Sequence, residues 1–441
     1  MLMEAPALPA SIFKLLKSLC AGGEEDRQQG GERSTLGLST LRDLVLHRPP
    51  VRQRCLMICL EAAVGPDDSV RSKAIRLISN KLFTQAHLVP IVEAFALQMM
   101  ADASKEGSAP DVAAEESEEA TAAAEQARQK IQLALALCVR KPAMLEEVAK
   151  AYAGAPKPVR QIFQRSMPGL CRTLGPTSEP LLALVAGPPK GAEPLALQAL
   201  HIAAEASQGS PPEALMACVR DAFARTRDAH YVVPVMHALT RAELDEVLPR
   251  LCELSAPALR QALTRLLQPP GGGAPLLSAA DAMVELHTLD LARHKVPLKR
   301  AMEALNVCAS APMREVFSSQ EVAAALQRLV AMDPVPLLSM RTLMQALQAF
   351  PKLSGFAMEL LGRLVNRQVW SMPKVWEGFL RCVLQANPQS MPVLLKLPPQ
   401  ALSEALRKVP DLRAPARRYA SQPAVAAALP RATDAVLRGG G

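Results

Sequence analysis

Histidine and cysteine are the residues of this 441-residue chain best able to bind a metal or carry a nucleophile, and their spacing suits neither task. The seven histidines, His47, His87, His201, His230, His237, His287 and His294, include no HExxH helix and no HxE followed by PCxxC, and none pairs with cysteine at ligand spacing. His287 and His294, in VELHTLDLARH, are the closest pair with acids nearby; a helix-end histidine and a surface one are expected. The nine cysteines are scattered, and Cys55 and Cys59 have the spacing of one helix face, so reduced, buried thiols are expected. No GxxxxGK[ST] loop, GxGxxG turn or GxSxG elbow occurs, which removes the usual phosphate cradles and the nucleophile of an α/β-hydrolase. A non-enzyme is expected, with no catalytic, cofactor-binding or metal-binding residue.

The elements that would position side chains are helices. Apolar residues make up 49% of the chain and aromatics only 3%, with Leu and Ala dominant and Gly and Pro placed between periodic runs. Leu38 to Leu46, Arg54 to Val64, Val70 to Phe83 and Leu88 to Met99 all repeat apolar residues at helical spacing. From Lys130 onward similar runs follow, with Lys141-Pro142, Ser210-Pro211, Asp333-Pro334 and Asn387-Pro388 expected to start helices. The spacing predicts an all-α fold, a HEAT/armadillo-like α-solenoid or superhelical helical-repeat domain, with a large irregular bundle as the alternative because no fixed repeat period emerges. The expected organisation is a helical block over 1–100, an acidic Ala/Glu/Ser-rich flexible linker over 101–129, a helical domain over 130–420 and a tail over 421–441. Gly22 to Arg33 is expected to be flexible and Gln268 to Pro275 to be a surface loop.

The net charge is +8, and the acids are concentrated between Asp102 and Glu125, so the remainder is more basic than the total suggests. Acidic partners, RNA or an acidic protein tail, are one reading; an ordinary solvated surface is the other. No apolar run approaches the roughly 18 residues of a membrane span, and no secretory segment is evident near Met1, so an intracellular chain without membrane contact is expected.

Both tryptophans, Trp370 and Trp376, fall between Leu337 and Pro399. Trp376, Phe379, Leu380 and Val383 stand at i, i+3, i+4 and i+7 of a helix beginning near Pro373, a face that is either core or a groove for a partner helix. Arg341, Arg363, Arg367, Lys374 and Arg381 accompany it, and Arg407, Lys408, Arg413, Arg417 and Arg418 crowd the last helices with only Tyr419 as a stacking platform. The candidate partner-binding residues are Arg341, Arg363, Arg367, Trp370, Lys374, Trp376 and Phe379.

The ordered words MRT, FP, GF, QVW, PKVWEGF, NPQS and LLKLPP in this stretch resemble the carboxy-terminal region of the symplekin family. Tyr231 to Leu251, Leu286 to Asp290 and Val316 to Leu329 extend the resemblance, which covers about Ser178 to Tyr419. The amino-terminal HEAT-repeat domain of that family, which engages a polymerase-tail phosphatase, is not evident. The resemblance implies a nuclear, non-catalytic scaffold of pre-mRNA 3′-end cleavage and polyadenylation. It would hold the metallo-β-lactamase endonuclease subunit of the cleavage and polyadenylation specificity factor and its inactive paralogue, on poly(A)-site and histone pre-mRNA, beside other 3′-end processing factors. The zinc chemistry would then belong to the partner. The alternative expectation is a helical-repeat RNA-binding module; weak, non-specific RNA contact is compatible with either.

Overall fold

The computed structural model describes residue 5 and residues 7–28, 30–106 and 118–438, and every regular element among them is a helix. The chain divides into two compact units, Met1–Thr226 and Arg227–Gly441.

An amphipathic helix of ten to twenty residues cannot bury its apolar stripe alone, and in each unit the solution is the same: a helix packs on the one two places along, building two layers. In the first unit one layer runs Ala10–Leu19, Glu32–His47, Asp68–Leu77, Glu118–Cys138, Lys157–Leu174 and Glu193–Ala206. Val89–Glu106, Leu145–Gly154, Glu179–Ala186 and Glu213–Thr226 form most of the other. In the second unit Ala279–Thr288, Ser319–Ala331, Ser354–Asn366, Met391–Leu394 and Arg413–Ala420 succeed one another in one layer. Ala256–Leu267, Leu298–Cys308, Ser339–Ala349, Pro373–Gln385 and Pro399–Lys408 make the opposite layer. Each unit is thus an all-α helical repeat of the expected HEAT/armadillo-like class. All nine cysteines are buried and unbonded, and burial pushes their thiols up, Cys138 to about 12.

Local signals explain most helix ends. Thr240 with Glu243 and Ser278 with Asp281 form reciprocal capping boxes. Pro158, Pro180, Pro194, Pro257, Pro373 and Pro399 occupy first-turn positions, where a missing N–H is harmless. Pro142 opens a single 3₁₀ turn and Pro211 stands just before Glu213–Thr226. Pro334 and Pro388 do not start helices: each follows a cis peptide bond in a turn before the next element.

The expected linker over 101–129 requires correction where it is described. Residues 101–106 complete the helix Val89–Glu106, and 118–129 belong to Glu118–Cys138, which packs on it; 107–117 lie outside the described residues. Buried rows Val92, Ala96, Met100, Ala103 and Ala127, Ile131, Ala134, Cys138 lie on these two helices. Alanine and glutamate are strong helix formers, and a small-residue row needs only a close neighbour to be buried. The boundary between units therefore falls at Thr226 and Arg227, inside the stretch 130–420 expected to be one domain. The expected tail carries the helix Arg431–Arg438, which packs on Pro399–Lys408 and buries Leu437.

Gly22 to Arg33 is also tied down. It contains the short helix Glu24–Gln28; Arg27 Nη2 meets Asp67 Oδ2 at 2.7 Å, and buried Asp26 Oδ1 accepts from Arg33 N at 3.0 Å. The Asp26 carboxyl sits below its ordinary value, chiefly through its hydrogen bonding to Ser34. Gln268 to Pro275 is a non-helical connection between Ala256–Leu267 and Ala279–Thr288, as its Pro-Pro-Gly-Gly-Gly run dictates.

Arg71 is the largest charged group inside the first unit, with no solvent exposure. Its Nε donates to Gln132 Oε1 at 2.8 Å, its Nη1 to the carbonyls of Gly65 at 2.7 Å and Pro66 at 3.2 Å, and its Nη2 pairs with Asp68. One guanidinium thereby fastens the Gly65–Pro66 turn to the long helix Glu118–Cys138.

Candidate partner-binding surface

Proline at its first position gives the helix Pro373–Gln385 a prepared start, and its apolar residues recur on one side. Trp376 is 1% exposed; Phe379, Leu380, Cys382 and Val383 are equally enclosed. The Trp376 and Phe379 rings stack with centroids 5.4 Å apart and planes 20° from parallel. The sequence left this face open between core and groove; the structure makes it core. Trp376 and Phe379 accordingly do not stand on an open surface. The Trp376 indole N–H lies toward Glu404 without a hydrogen bond of full geometry. Glu404 is held below its ordinary carboxylate value mainly by Lys408 at 2.8 Å, with a smaller contribution from that indole.

Against Ser339–Ala349 the same helix comes close. A Cβ on Gly378 would lie 2.6 Å from Met340 Cβ, so only glycine lets the two backbones approach here. Cys382 Sγ donates to Met340 O at 3.3 Å and Gln385 Nε2 to Met344 O at 3.0 Å. His287 fastens Ala279–Thr288 to Ser339–Ala349 across the two layers: its Nδ1 lies 2.7 Å from Met283 O and its Nε2 2.8 Å from Thr342 Oγ1. A carbonyl only accepts, so Nδ1 carries a proton toward Met283 O, while the Thr342 hydroxyl beside Nε2 also reaches the Leu338 carbonyl at 3.4 Å.

Burial lowers the His287 pKa below its ordinary value of 6.5. The folded state then takes up the proton less readily than the unfolded state. This contribution to stability is complete above the unfolded pKa of about 6.5 and is lost as pH falls from there toward the folded value. Chemical denaturation of the His287→Gln variant, compared with the parent from pH 7.5 to 5, is expected to show a weaker acid loss in the variant. Parallel curves would mean that His287 does not titrate on unfolding.

The basic candidates have different fates. Arg367 Nη1 donates to the Val330 carbonyl and Nη2 lies 3.8 Å from Asp333 Oδ1, so Arg367 closes the end of Ser319–Ala331. Arg363 pairs with Glu359 one turn back at 2.7 Å. Arg341 Nη2 donates to Asn306 Oδ1 at 3.1 Å. Lys408 pairs with Glu404 at 2.8 Å, and Arg417 Nε donates to Leu437 O. Lys374 and Arg381 are exposed, two turns apart on the outer face of Pro373–Gln385, with Glu377 between them. Neither has an ion-pair partner among the described residues. Trp370, in the turn Val369–Ser371, is half-buried and outside the Trp376–Phe379 ring pair.

Among the described residues no three His, Cys, Asp or Glu side chains converge as metal ligands, and no helix is long and apolar enough to cross a membrane. What the arrangement offers is a closed aromatic core beneath a charged outer helix face.

The family model described as the symplekin tight junction protein C terminal matches residues 228–409. The matched span starts one residue inside the second compact unit. Residues 228–409 form a symplekin carboxy-terminal region. Within it, the symplekin words QVW and PKVWEGF hold the buried turn Val369 and the stacked pair Trp376 and Phe379. The symplekin word NPQS holds buried Ser390, whose hydroxyl donates to Val383 O at 2.5 Å. The most specific words of the resemblance are thus packing residues, and the outer residues Lys374 and Arg381 flank them.

Proposed function

We propose that this chain is a non-catalytic nuclear scaffold of pre-mRNA 3′-end processing, and that its second unit holds the endonuclease subunit of the cleavage and polyadenylation specificity factor with that subunit's inactive paralogue. The match of residues 228–409 to the symplekin carboxy-terminal family is the observation that carries this reading. The helical-repeat architecture supports it: stacked helices present long faces and leave the phosphodiester chemistry to a bound partner. On this reading the contact lies within Leu337 to Tyr419. Lys374 and Arg381, exposed and without ion-pair partners among the described residues, steer encounter, while half-buried Trp370 supplies contact area at the edge. Trp376 and Phe379 act from beneath, by fixing the helix that displays the two cations.

Charge reversal tests the assignment without disturbing the core. Lys374→Glu with Arg381→Glu is expected to slow association with the purified endonuclease pair by about tenfold at low salt, with a smaller effect at high salt. An unchanged association rate in a variant that melts like the parent would remove this face from the interface.

A further inference from the structure

The helices Ala256–Leu267 and Leu298–Cys308 border a cavity of about 360 Å³ that is open to solvent on one side. Leu254, Leu259 and Val307 line its apolar part and are all buried. Arg260, Arg300, Glu303 and Asn306 are among its polar lining residues. Arg300 Nη1 lies 3.1 Å from Glu303 Oε2, with both side chains about half exposed, 50% and 45%, so the remaining guanidinium donors of Arg300 stay available.

Arg260 differs from Arg300. Its Nε is shut off from solvent and meets no acceptor among the described residues. An N–H held from water without an acceptor is costly, and the cost is relieved when an acceptor reaches it. The same condition recurs two helices further along this layer, on Ser339–Ala349, where Arg341 Nε is enclosed and unsatisfied. Asn306, in the cavity lining, links the two places: its Oδ1 accepts from Arg341 Nη2 at 3.1 Å and from Gln345 Nε2 at 2.6 Å. The layer therefore has an apolar depression beside two arginines, with guanidinium donors that lack acceptors.

We propose that this cavity is a docking site for an acidic peptide segment of a partner protein. An apolar side chain of the segment sits on Leu254, Leu259 and Val307, and its neighbouring carboxylates accept from Arg260 and Arg300. Arginine suits this task because its planar fork meets a carboxylate through two N–H groups. The two arginines outnumber the one lining carboxylate, Glu303, so the charge favours an acid, and the cavity lining has no aromatic ring, so a nucleobase would lack a stacking platform. The site lies outside Leu337 to Tyr419 and stands whether or not that stretch holds the endonuclease pair.

The full chain can be titrated with three fluorescein-labelled probes: a peptide with one leucine flanked by aspartates and glutamates, its asparagine and glutamine counterpart, and a uridine oligomer. The acidic peptide is expected to bind, with its amide counterpart weaker by about tenfold or more. Arg300→Gln, at an exposed position, and Arg260→Gln are each expected to weaken the acidic peptide severalfold, whereas Lys14→Gln in the first unit leaves it unchanged. Thermal melts of the variants separate loss of the site from loss of the fold, and Arg300→Gln keeps the test open if Arg260→Gln is unstable. No binding of the acidic peptide, equal binding by the Arg300→Gln chain, or displacement of the peptide by the uridine oligomer at lower concentration would overturn the proposal.

Discussion

Replacing Trp376 by alanine is expected to destabilise the second unit by about 3–5 kcal/mol, the range for emptying a large aromatic site in a packed core. Trp376 is 1% exposed, stacks on Phe379 and fills the space beside Pro399–Lys408, so the cavity left behind cannot be reached by solvent without moving helices. Trp370 remains in the variant, so the denaturation midpoint can be followed through its fluorescence. Trp376→Phe should lose much less, because the indole N–H makes no full hydrogen bond and the ring stack is retained. A midpoint unchanged in Trp376→Ala, accompanied by weaker partner binding, would return this residue to the interface.

Arg71→Ala is expected to cost about 3 kcal/mol in the first unit, the sum of lost packing around a fully buried side chain and of charge-assisted hydrogen bonds to half-buried or exposed acceptors, each contributing roughly 1 kcal/mol once water replaces the donor. Three acceptors would lose their donor: Gln132 Oε1 and the carbonyls of Gly65 and Pro66. The partner carboxylate of Asp68 is 70% exposed, so the ion pair itself adds little and the hydrogen bonds carry the effect. Arg71→Lys keeps the charge but not the fork, and should recover only part of the loss. Far-UV circular dichroism during urea denaturation measures all three proteins. Equal midpoints for parent and Arg71→Ala would show that the network is replaceable by water.

Helix content and the apolar face of Pro373–Gln385 were readable because period 3.6 is written in adjacent residues: Trp376, Phe379, Leu380 and Val383 need no partner to be recognised. Whether that face was core or groove was not readable, since the answer depends on Ser339–Ala349 and Pro399–Lys408 covering it. The run GGEEDRQQGGER reads as flexible because the anchors of Asp26 and Arg27 lie elsewhere, on Ser34 and Asp67. Arg71, within VRSKAIRL, reads as a solvated cation, and nothing local reveals the carbonyls and Gln132 that enclose it. The stretch 101–129 is hard to read for a different reason: its small side chains suggest too little burial for order, yet Ala103, Ser104 and Ala127 are buried on helices that pack together. The arginine cavity was invisible because its walls come from two helices about forty residues apart in sequence.

The central claim, that the second unit serves as a scaffold for the endonuclease pair, is tested most directly by mixing the purified full chain with purified endonuclease subunit and paralogue and measuring the molar mass of the product by light scattering after size exclusion. One complex containing all three chains is expected, formed by the parent and by Arg71→Lys. Reduced formation is expected for Lys374→Glu with Arg381→Glu at low protein concentration. Separate elution of a folded, helical chain and an intact endonuclease pair at micromolar concentration would contradict the claim.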